Sequence, residues 1–393
     1  MKEYFYGYER DNGFGIRNHI LVIPTVTCSE FVAQKIVEKS SKYYHSADGK
    51  VKLLRNPYGC AQAGKDLEQT TRTIINAGLN PNVKSGLIVS LGCESIDFEK
   101  ITDEISKKKE VYHIKVQEHD FKKSIEIGID LIKKLSENAI NDKRKKTGIE
   151  NIVIGSQQGG SDYTSGLVSN PLVGKVSDWI VSNGGTSIIG EVPELIGAEH
   201  LYAKRAINGH VKKQILNAVK DFEEKLKREA KVDFIKAQPS PGNIAGGYTT
   251  IEEKSLDAIK RSGSMPVSGV VDYAEIVKGK GHYLMNTPGY DVESISGQVA
   301  GGANLILFTT GLGTPTGNAI APVIRITSNS ETYRIMNDII DYDASDVLLG
   351  KKKIEESVVG LKKLIIDVAN GKNTKSELNH QDDFSIYRIG PTF

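Results

Sequence analysis

Short apolar runs without polar alternation recur along the first half of the chain, at Ile20–Val26, Val51–Arg55, Gly86–Leu91, Val111–Val116, Ile152–Ile154 and Thr186–Val192. Runs of that length and pattern predict strands buried on both faces. Segments with helical period fall between them: Glu30–Lys39, Gln62–Ala77, Asp97–Lys108, Phe121–Asn138, Asn170–Ser182 and Ala198–Ala230. The alternation predicts a βα array on a mostly parallel sheet. Val232 to Tyr248 breaks the order with Pro239, Pro241, Gly242 and Gly246-Gly247 and reads as a crossing loop. Beyond it the pattern resumes. Thr250–Ser262, Ser330–Ile339 and Lys352–Ala369 are predicted helices, and Tyr283–Asn286, Leu305–Thr309 and Val323–Thr327 are predicted strands. The polar stretch from Asn370 is expected to cap the surface.

The fold expected is therefore α/β: two Rossmann-like lobes with mostly parallel sheets, residues 1–235 and 236–393. A chain of 393 residues with 39% apolar content supports more than one core. Its 51 basic and 49 acidic residues nearly cancel, so no global field favours nucleic acid or an anionic membrane. Met1-Lys2-Glu3 opens no apolar targeting core, and no apolar run approaches the ~20 residues that span a bilayer. A cytoplasmic protein with three unpaired thiols is expected.

The rarest residues and the glycine clusters fall where the predicted strands end, which in an open α/β sheet is where ligands bind. Cys28, Cys60 and Cys93 each follow a strand. Three thiolates there would suit an iron–sulfur cluster with one open iron, but no C-x-x-C spacing supports one, and cysteine is common as a small buried residue. Gly59, Gly64 and Lys65 approach a phosphate-loop spacing, yet Asp66 stands where the magnesium-binding hydroxyl belongs, so nucleotide binding is disfavoured. Glu191, Glu194, Glu199 and His200 offer oxygen and imidazole donors for a divalent ion. Arg17-Asn18-His19 precedes the first strand, with Arg17 able to clamp a carboxylate and His19 able to move a proton. The turns Gly159-Gly160-Ser161-Asp162, Pro288-Gly289-Tyr290-Asp291 and Gly301-Gly302-Ala303 free backbone amides for an anionic, oxygen-rich ligand.

Eight segments, in order, carry a resemblance: GYERDNGFGIRNHILVIPTVTC from Gly7, NPYGCAQ from Asn56, LGCES from Leu91, GGSD from Gly159, GEVPELIGAEH from Gly190, PSPGNIAGGYTTIEEKSL from Pro239, MNTPGYD from Met285 and GQVAGGANLILFTTG from Gly297. Together they resemble the altronate and galactarate dehydratase family over nearly the whole chain. The resemblance implies dehydration of a sugar acid to a 2-keto-3-deoxy acid with a divalent metal, usually Fe2+, Mn2+ and Mg2+ being the alternatives. The residues expected to be catalytic are His19, Arg17 and Asp162, and those expected to bind substrate are Asn18, Gly159, Gly160, Ser161, Asn243 and Lys254. The expected metal ligands are Glu191, Glu194, His200, Cys60 and Cys93.

The chain is similar to the large subunit of two-component members, so a separate small β-rich (SAF-type) subunit is expected, as is a homo-oligomer. The sulfolactate sulfo-lyase branch shares that arrangement and expels sulfite instead of water. Gln158 stands where many members have a cysteine before GGSD, and Asn318 where many have one after the FTTG strand, which weakens a cluster built on those thiols. A nucleotide-binding enzyme or a silent sugar-acid-binding subunit are the other readings.

Overall fold

A computed structural model describes residues 4–44, 46 and 48–393; Met1-Lys2-Glu3, on which part of the targeting expectation rests, lies outside the described residues. β1 (Tyr4–Arg10) and β2 (Gly13–Gly15) form an antiparallel hairpin. β3 (His19–Pro24), β4 (Val51–Leu53), β5 (Val83–Ser90) and β6 (Glu110–Lys115) form a parallel sheet in the order β4-β3-β5-β6. β7 (Lys145–Gly148) then returns to pair antiparallel with β1. The rest of the chain builds a second parallel sheet from β8 (Val153–Gln158), β9 (Thr186–Ile189), β10 (Val267–Val271), β11 (Gly281–Met285), β12 (Leu305–Thr309), β13 (Val323–Thr327) and β14 (Tyr342–Asp343), in the order β10-β11-β9-β8-β12-β13-β14. The protein is α/β. No helix among the described residues is long and apolar enough to cross a membrane.

The expected boundary at residue 235 is corrected by this topology. β9 hydrogen-bonds to β11, and β8 hydrogen-bonds to both β9 and β12, so residues on either side of 235 share one sheet. The sheets change instead between β6 and β8. The lobes also share a core: Ile23, Ile74 and Ile88 of the first pack in one cluster with Ile295, Phe308 and Phe384 of the second. Each such buried side chain contributes about 1.5–3 kcal/mol over leaving it in water.

The predicted helix Ala198–Ala230 is interrupted. Glu199–Ala203 ends before a turn, and Gly209–Lys225 restarts where the Asn208 side chain accepts from Val211 N. Arg205 in that turn donates to Met265 O and to the Ser262 hydroxyl, pinning the break to the approach to β10. The crossing segment Val232–Tyr248 carries two short helices, Phe234–Ala237 and Pro241–Ala245. The C-terminal stretch is no surface cap: Phe384 and Ile386 are buried, and Ile389 and Gly390 donate backbone N–H to Asp66 of the first lobe.

Both sheets direct their strand ends alike. Residues preceding β5, β8, β9 and β12 line one seam between the lobes. Opposite, a cavity of about 400 Å³ is lined by Lys65 and Arg72 from the helix after β4, by Tyr273 after β10, by Asn286 after β11 and by Tyr387. That cavity opens where β10 and β11 end, beside the helix that follows β4.

Candidate active site

The chain runs from β8 outward through β9 to β10 and β11, then crosses back to place β12 on the other side of β8. The order reverses between β8 and β12, and a parallel sheet opens a crevice at the carboxyl ends of such a pair. Gln157 and Gln158 end β8, and the Gly159–Asp162 turn follows them over the opening.

Glu191 follows β9 in the left-handed region, at φ 62°, which a non-glycine residue adopts only when its surroundings hold it there. Its N–H donates to Thr287 Oγ1 at 2.7 Å, and its carboxylate is buried and fully engaged. Gln157 Nε2 donates to Oε1 at 2.6 Å, while Arg261 Nη2 at 2.6 Å and Gln158 N at 3.3 Å approach Oε2. Arg261 is itself fully buried and lies 3.5 Å from Glu194 Oε2; Lys254 Nζ reaches Glu194 Oε1 at 3.3 Å. Gln157 Nε2 also donates to Asp291 Oδ1 at 2.8 Å.

Three carboxyls, Glu191, Glu194 and Asp291, thus share two cations, Arg261 and Lys254. Burial, and after it the charge of Glu194, pushes the Glu191 carboxyl well above the usual range, with Arg261 opposing. Burial also raises Asp291, to about 6, against the Gln157 hydrogen bond. A carboxyl raised to about 6, as at Asp291, holds or releases a proton near neutrality, as acid–base catalysis requires.

The helix Asp291–Ala300 presents a second carboxyl from its first turn. The Glu293 carboxyl is raised to about 7 by burial and has no hydrogen-bond or ion-pair partner among the described residues, although its backbone carbonyl accepts from Tyr273 OH at 2.8 Å. Its charge is felt at Tyr58 of the loop after β4, whose ring lies under the Arg388 guanidinium at 5.1 Å. One helical turn therefore carries two raised carboxyls, Asp291 beside Gln157 and Glu293 within electrostatic reach of Tyr58.

Several candidates fall elsewhere. Arg17 and Asn18 precede β3, and His19 begins it, so all three stand at the amino end of their sheet. Arg17 is wholly buried and paired with Glu377. Asn18 Nδ2 donates to Ala139 O. Burial, then the charge of Lys52, holds His19 well below the usual imidazole range, and its Nδ1 accepts from Lys50 N. These residues join the lobes and do not face the crevice. Asp162 staples the glycine turn: its carboxylate accepts from the Thr164 hydroxyl, from Ser165 N and Oγ, and from Asn329 Nδ2.

Gly159, Gly160 and Ser161 do border the opening. Asn243 Nδ2 donates to Ser161 O at 3.2 Å, and Lys254 belongs to the charged cluster. Arg261, Gln157, Asp291 and Glu293 were not assigned from sequence; the first has no local motif, and a glutamine ending a strand carries no chemical signal.

The proposed metal ligands do not assemble. His200 is exposed on the short helix Glu199–Ala203, Cys28 is exposed in the first turn of the helix Thr27–Ser40, and Cys60 and Cys93 are exposed in loops of the other sheet, Cys93 Sγ accepting from Gln117 Nε2. Glu191 and Glu194 are committed to Arg261, Lys254 and Gln157. Among the described residues, no three His, Cys, Asp or Glu side chains group so as to hold an ion. This donor set does not fit a resident divalent metal or a cluster.

Residues 149–392 match the model for the C-terminal domain of D-galactarate/altronate dehydratase, and residues 7–140 match that for the second domain of D-galactarate dehydratase/altronate hydrolase. The chain belongs to the altronate and galactarate dehydratase family. The two matched stretches divide where the sheets change. Within the family, the chain is 34% identical to altronate dehydratase of Bacillus subtilis, over 99% of this chain and 78% of that protein. It is 34% identical to altronate dehydratase of Escherichia coli over 98% of this chain and 78% of the relative. It is also 33% identical to (2R)-sulfolactate sulfo-lyase subunit beta of Chromohalobacter salexigens, over 98% of this chain and 97% of that subunit.

Proposed function

We propose that this chain is a hydro-lyase that eliminates water from a sugar acid such as altronate, giving a 2-keto-3-deoxy acid. The observation that carries the reading is the pair of raised carboxyls, Asp291 and Glu293, on one turn between the two lobes of a dehydratase-family chain. Lys254, the more open of the two clustered cations, receives the substrate carboxylate in place of Glu194. Asp291, held by Gln157, is the group ionised at neutral pH and removes the C2 proton. Positive charge from Lys254 and Arg261 stabilises the enolate, an effect worth about 3 kcal/mol for a well-aimed donor. Glu293, titrating higher, supplies the proton with which the C3 hydroxyl leaves as water. The C2–H and C3–O bonds break, a C2=C3 bond forms, and the enol tautomerises to the ketone.

The near-complete coverage of a sulfolactate sulfo-lyase subunit favours a second reading, in which the same proton removal expels sulfite from C3 and leaves pyruvate. That relative's designation as a subunit also prompts the proposal of a separate small partner. The test is anaerobic incubation of the chain with altronate, galactarate or sulfolactate, with ferrous ion or with a chelator, followed by mass spectrometry. A 2-keto-3-deoxy acid supports dehydration, sulfite with pyruvate supports the second reading, and no product from any substrate overturns both. A strict need for ferrous ion would show that a metal takes part in the step and would return Glu191, Glu194 and His200 to consideration as its ligands.

A further inference from the structure

The Gly301-Gly302-Ala303 turn has no part in the charged cluster. Gly301 and Gly302 line a cleft of about 300 Å³ between the lobes, at the opposite end of the second sheet, where Val153 begins β8 and Thr186 begins β9. Bonds across the seam build its walls. Asn76 Nδ2 donates to Ala274 O at 2.8 Å, Asn80 Nδ2 to Val299 O and Ala303 O at 2.8 and 2.9 Å, and Asn304 Nδ2 to Phe14 O at 3.0 Å. The cleft is therefore held at a fixed width, as preformed small-molecule sites are, and its volume lies at the lower end of their range of about 300–1,000 Å³.

Its chemistry is one-sided. Asn80 and Asn304 spend both amide N–H groups in the walls, and their side-chain oxygens accept from Asn82 N and Val153 N. Phe14, Leu79, Pro81, Val153, Ile276 and Val277 make the lining apolar. Among the described residues, the charged side chains that line it are Lys108 and Lys280, and no carboxylate does. Lys108 is exposed, and its ammonium has no hydrogen-bond or ion-pair partner among the described residues. Lys280 Nζ donates to Glu150 O, and desolvation holds its ammonium below the usual lysine range, against the charge of Glu150. A polyol would find the wall amides already paired, and a cation would meet two ammonium groups. An inorganic anion would leave the apolar wall in water.

We infer that this cleft is a second ligand site, taking a small organic anion whose apolar body lies against Phe14, Leu79 and Val277 and whose charged head pairs with Lys108 and Lys280. None of these residues belongs to the charged cluster, so the inference is independent of the reaction proposed above. The walls come from both lobes, and a ligand bound there stabilises the folded chain by bridging them.

Calorimetric titration of the full chain with phenylacetate, 2-phenylethanol and phenethylammonium, which share one apolar body and differ in charge, tests it, beside Lys108→Gln, Lys280→Gln, Ile276→Glu and Lys254→Gln. Phenylacetate binds at a single site and raises the melting temperature, and the neutral and cationic probes bind at least about 5-fold more weakly. Lys108→Gln and Lys280→Gln each weaken phenylacetate binding about 5-fold, the upper worth of an exposed ion pair. Both lysines are exposed, so these variants keep the fold. Ile276→Glu, which puts a carboxylate into the cleft, weakens binding further, and Lys254→Gln, in the charged cluster, leaves it unchanged. No binding of phenylacetate at millimolar concentration, equal affinity for the three probes, or cleft variants that bind as wild type does overturns the site. Loss in Lys254→Gln alone would place the probe in the charged cluster and overturn it too.

Discussion

Arg17 and Glu377, 360 positions apart, meet in a bidentate ion pair, Nε to Oε1 at 2.6 Å and Nη2 to Oε2 at 2.8 Å. Arg17 Nη1 also donates to Ile16 O and Val368 O, and Nη2 to Lys372 O, so the guanidinium anchors the start of the first sheet to the C-terminal segment. Burial alone would raise the Glu377 carboxyl, but the charge and hydrogen bonds of Arg17 hold it at about 2.

Glu377→Gln leaves a buried guanidinium without its counter-charge, a loss of about 3–5 kcal/mol. Because the folded carboxyl titrates below the unfolded one, its contribution is full above the ordinary glutamate range of about 4.3 and fades as pH falls toward 2. Urea unfolding at pH 7 and at pH 3 should therefore show a large gap between wild type and variant that narrows in acid. An equal gap at both pH values would contradict the assignment.

The same pair shows what sequence alone could tell. Arg17 reads as a carboxylate clamp, and it is one, but the carboxylate comes from Glu377, which no local pattern links to it. The parallel strands β3, β5, β12 and β13 are legible because double-sided burial leaves continuous apolar runs, whereas β8, VIGSQQ, extends four residues beyond the predicted Ile152–Ile154. β1, β2 and β7 are not legible: YFYGYER and KKTG form a small, partly exposed sheet with mixed polarity. β10, VSGVV, is an edge strand with little to separate it from a turn. Glu191, Glu194 and the glycine turn are legible because segments at strand ends carry odd residues, whereas Lys254 lies within the helix Ile251–Lys260 and no strand-end pattern marks it. Arg261 ends a helix 70 positions from Glu191, and only the crossing back to the sheet brings them together.

Asp291→Asn keeps the shape and the Gln157 contact while removing the proton acceptor. Positioned general bases contribute about 10²–10⁴-fold, so kcat should fall by at least about 100-fold with KM little changed. Stopped assays on the substrate found above, beside a circular dichroism spectrum matching wild type, provide the check. Full turnover by the variant would move the base elsewhere.

Glu293 has a raised carboxyl, about 7, and the sign of its effect is opposite to that of Glu377. A carboxyl that titrates higher folded than unfolded favours the folded state below about 4.3, and that contribution is lost as pH rises through 7. Glu293→Gln should thus melt at a higher temperature than wild type at pH 8 and at nearly the same temperature at pH 4. If Glu293 is also the proton donor, the alkaline fall in kcat near pH 7 disappears in the variant together with most of the rate. A variant that keeps both the rate and the limb would leave Glu293 a bystander.

Gly159 separates the turn from the acid it must approach. A Cβ there would fall on the Asp291 carboxylate and 2.7 Å from the Phe308 ring, closer than atoms of a side chain and a rigid ring can stand. Gly209, at the start of its helix, has open space around the same position, and alanine there should be neutral or stabilising by roughly 0.5–1 kcal/mol. Gly159→Ala must instead displace Asp291 or the turn. Displacement of the acid by even a fraction of an ångström alters its bond to Gln157 and its distance to substrate, so activity should fall more steeply than stability. The comparison of the two alanine variants, by melting temperature and by kcat/KM, separates the effects: loss of rate confined to Gly159→Ala supports the close approach, and equal behaviour of both would show that the turn yields without cost to the site.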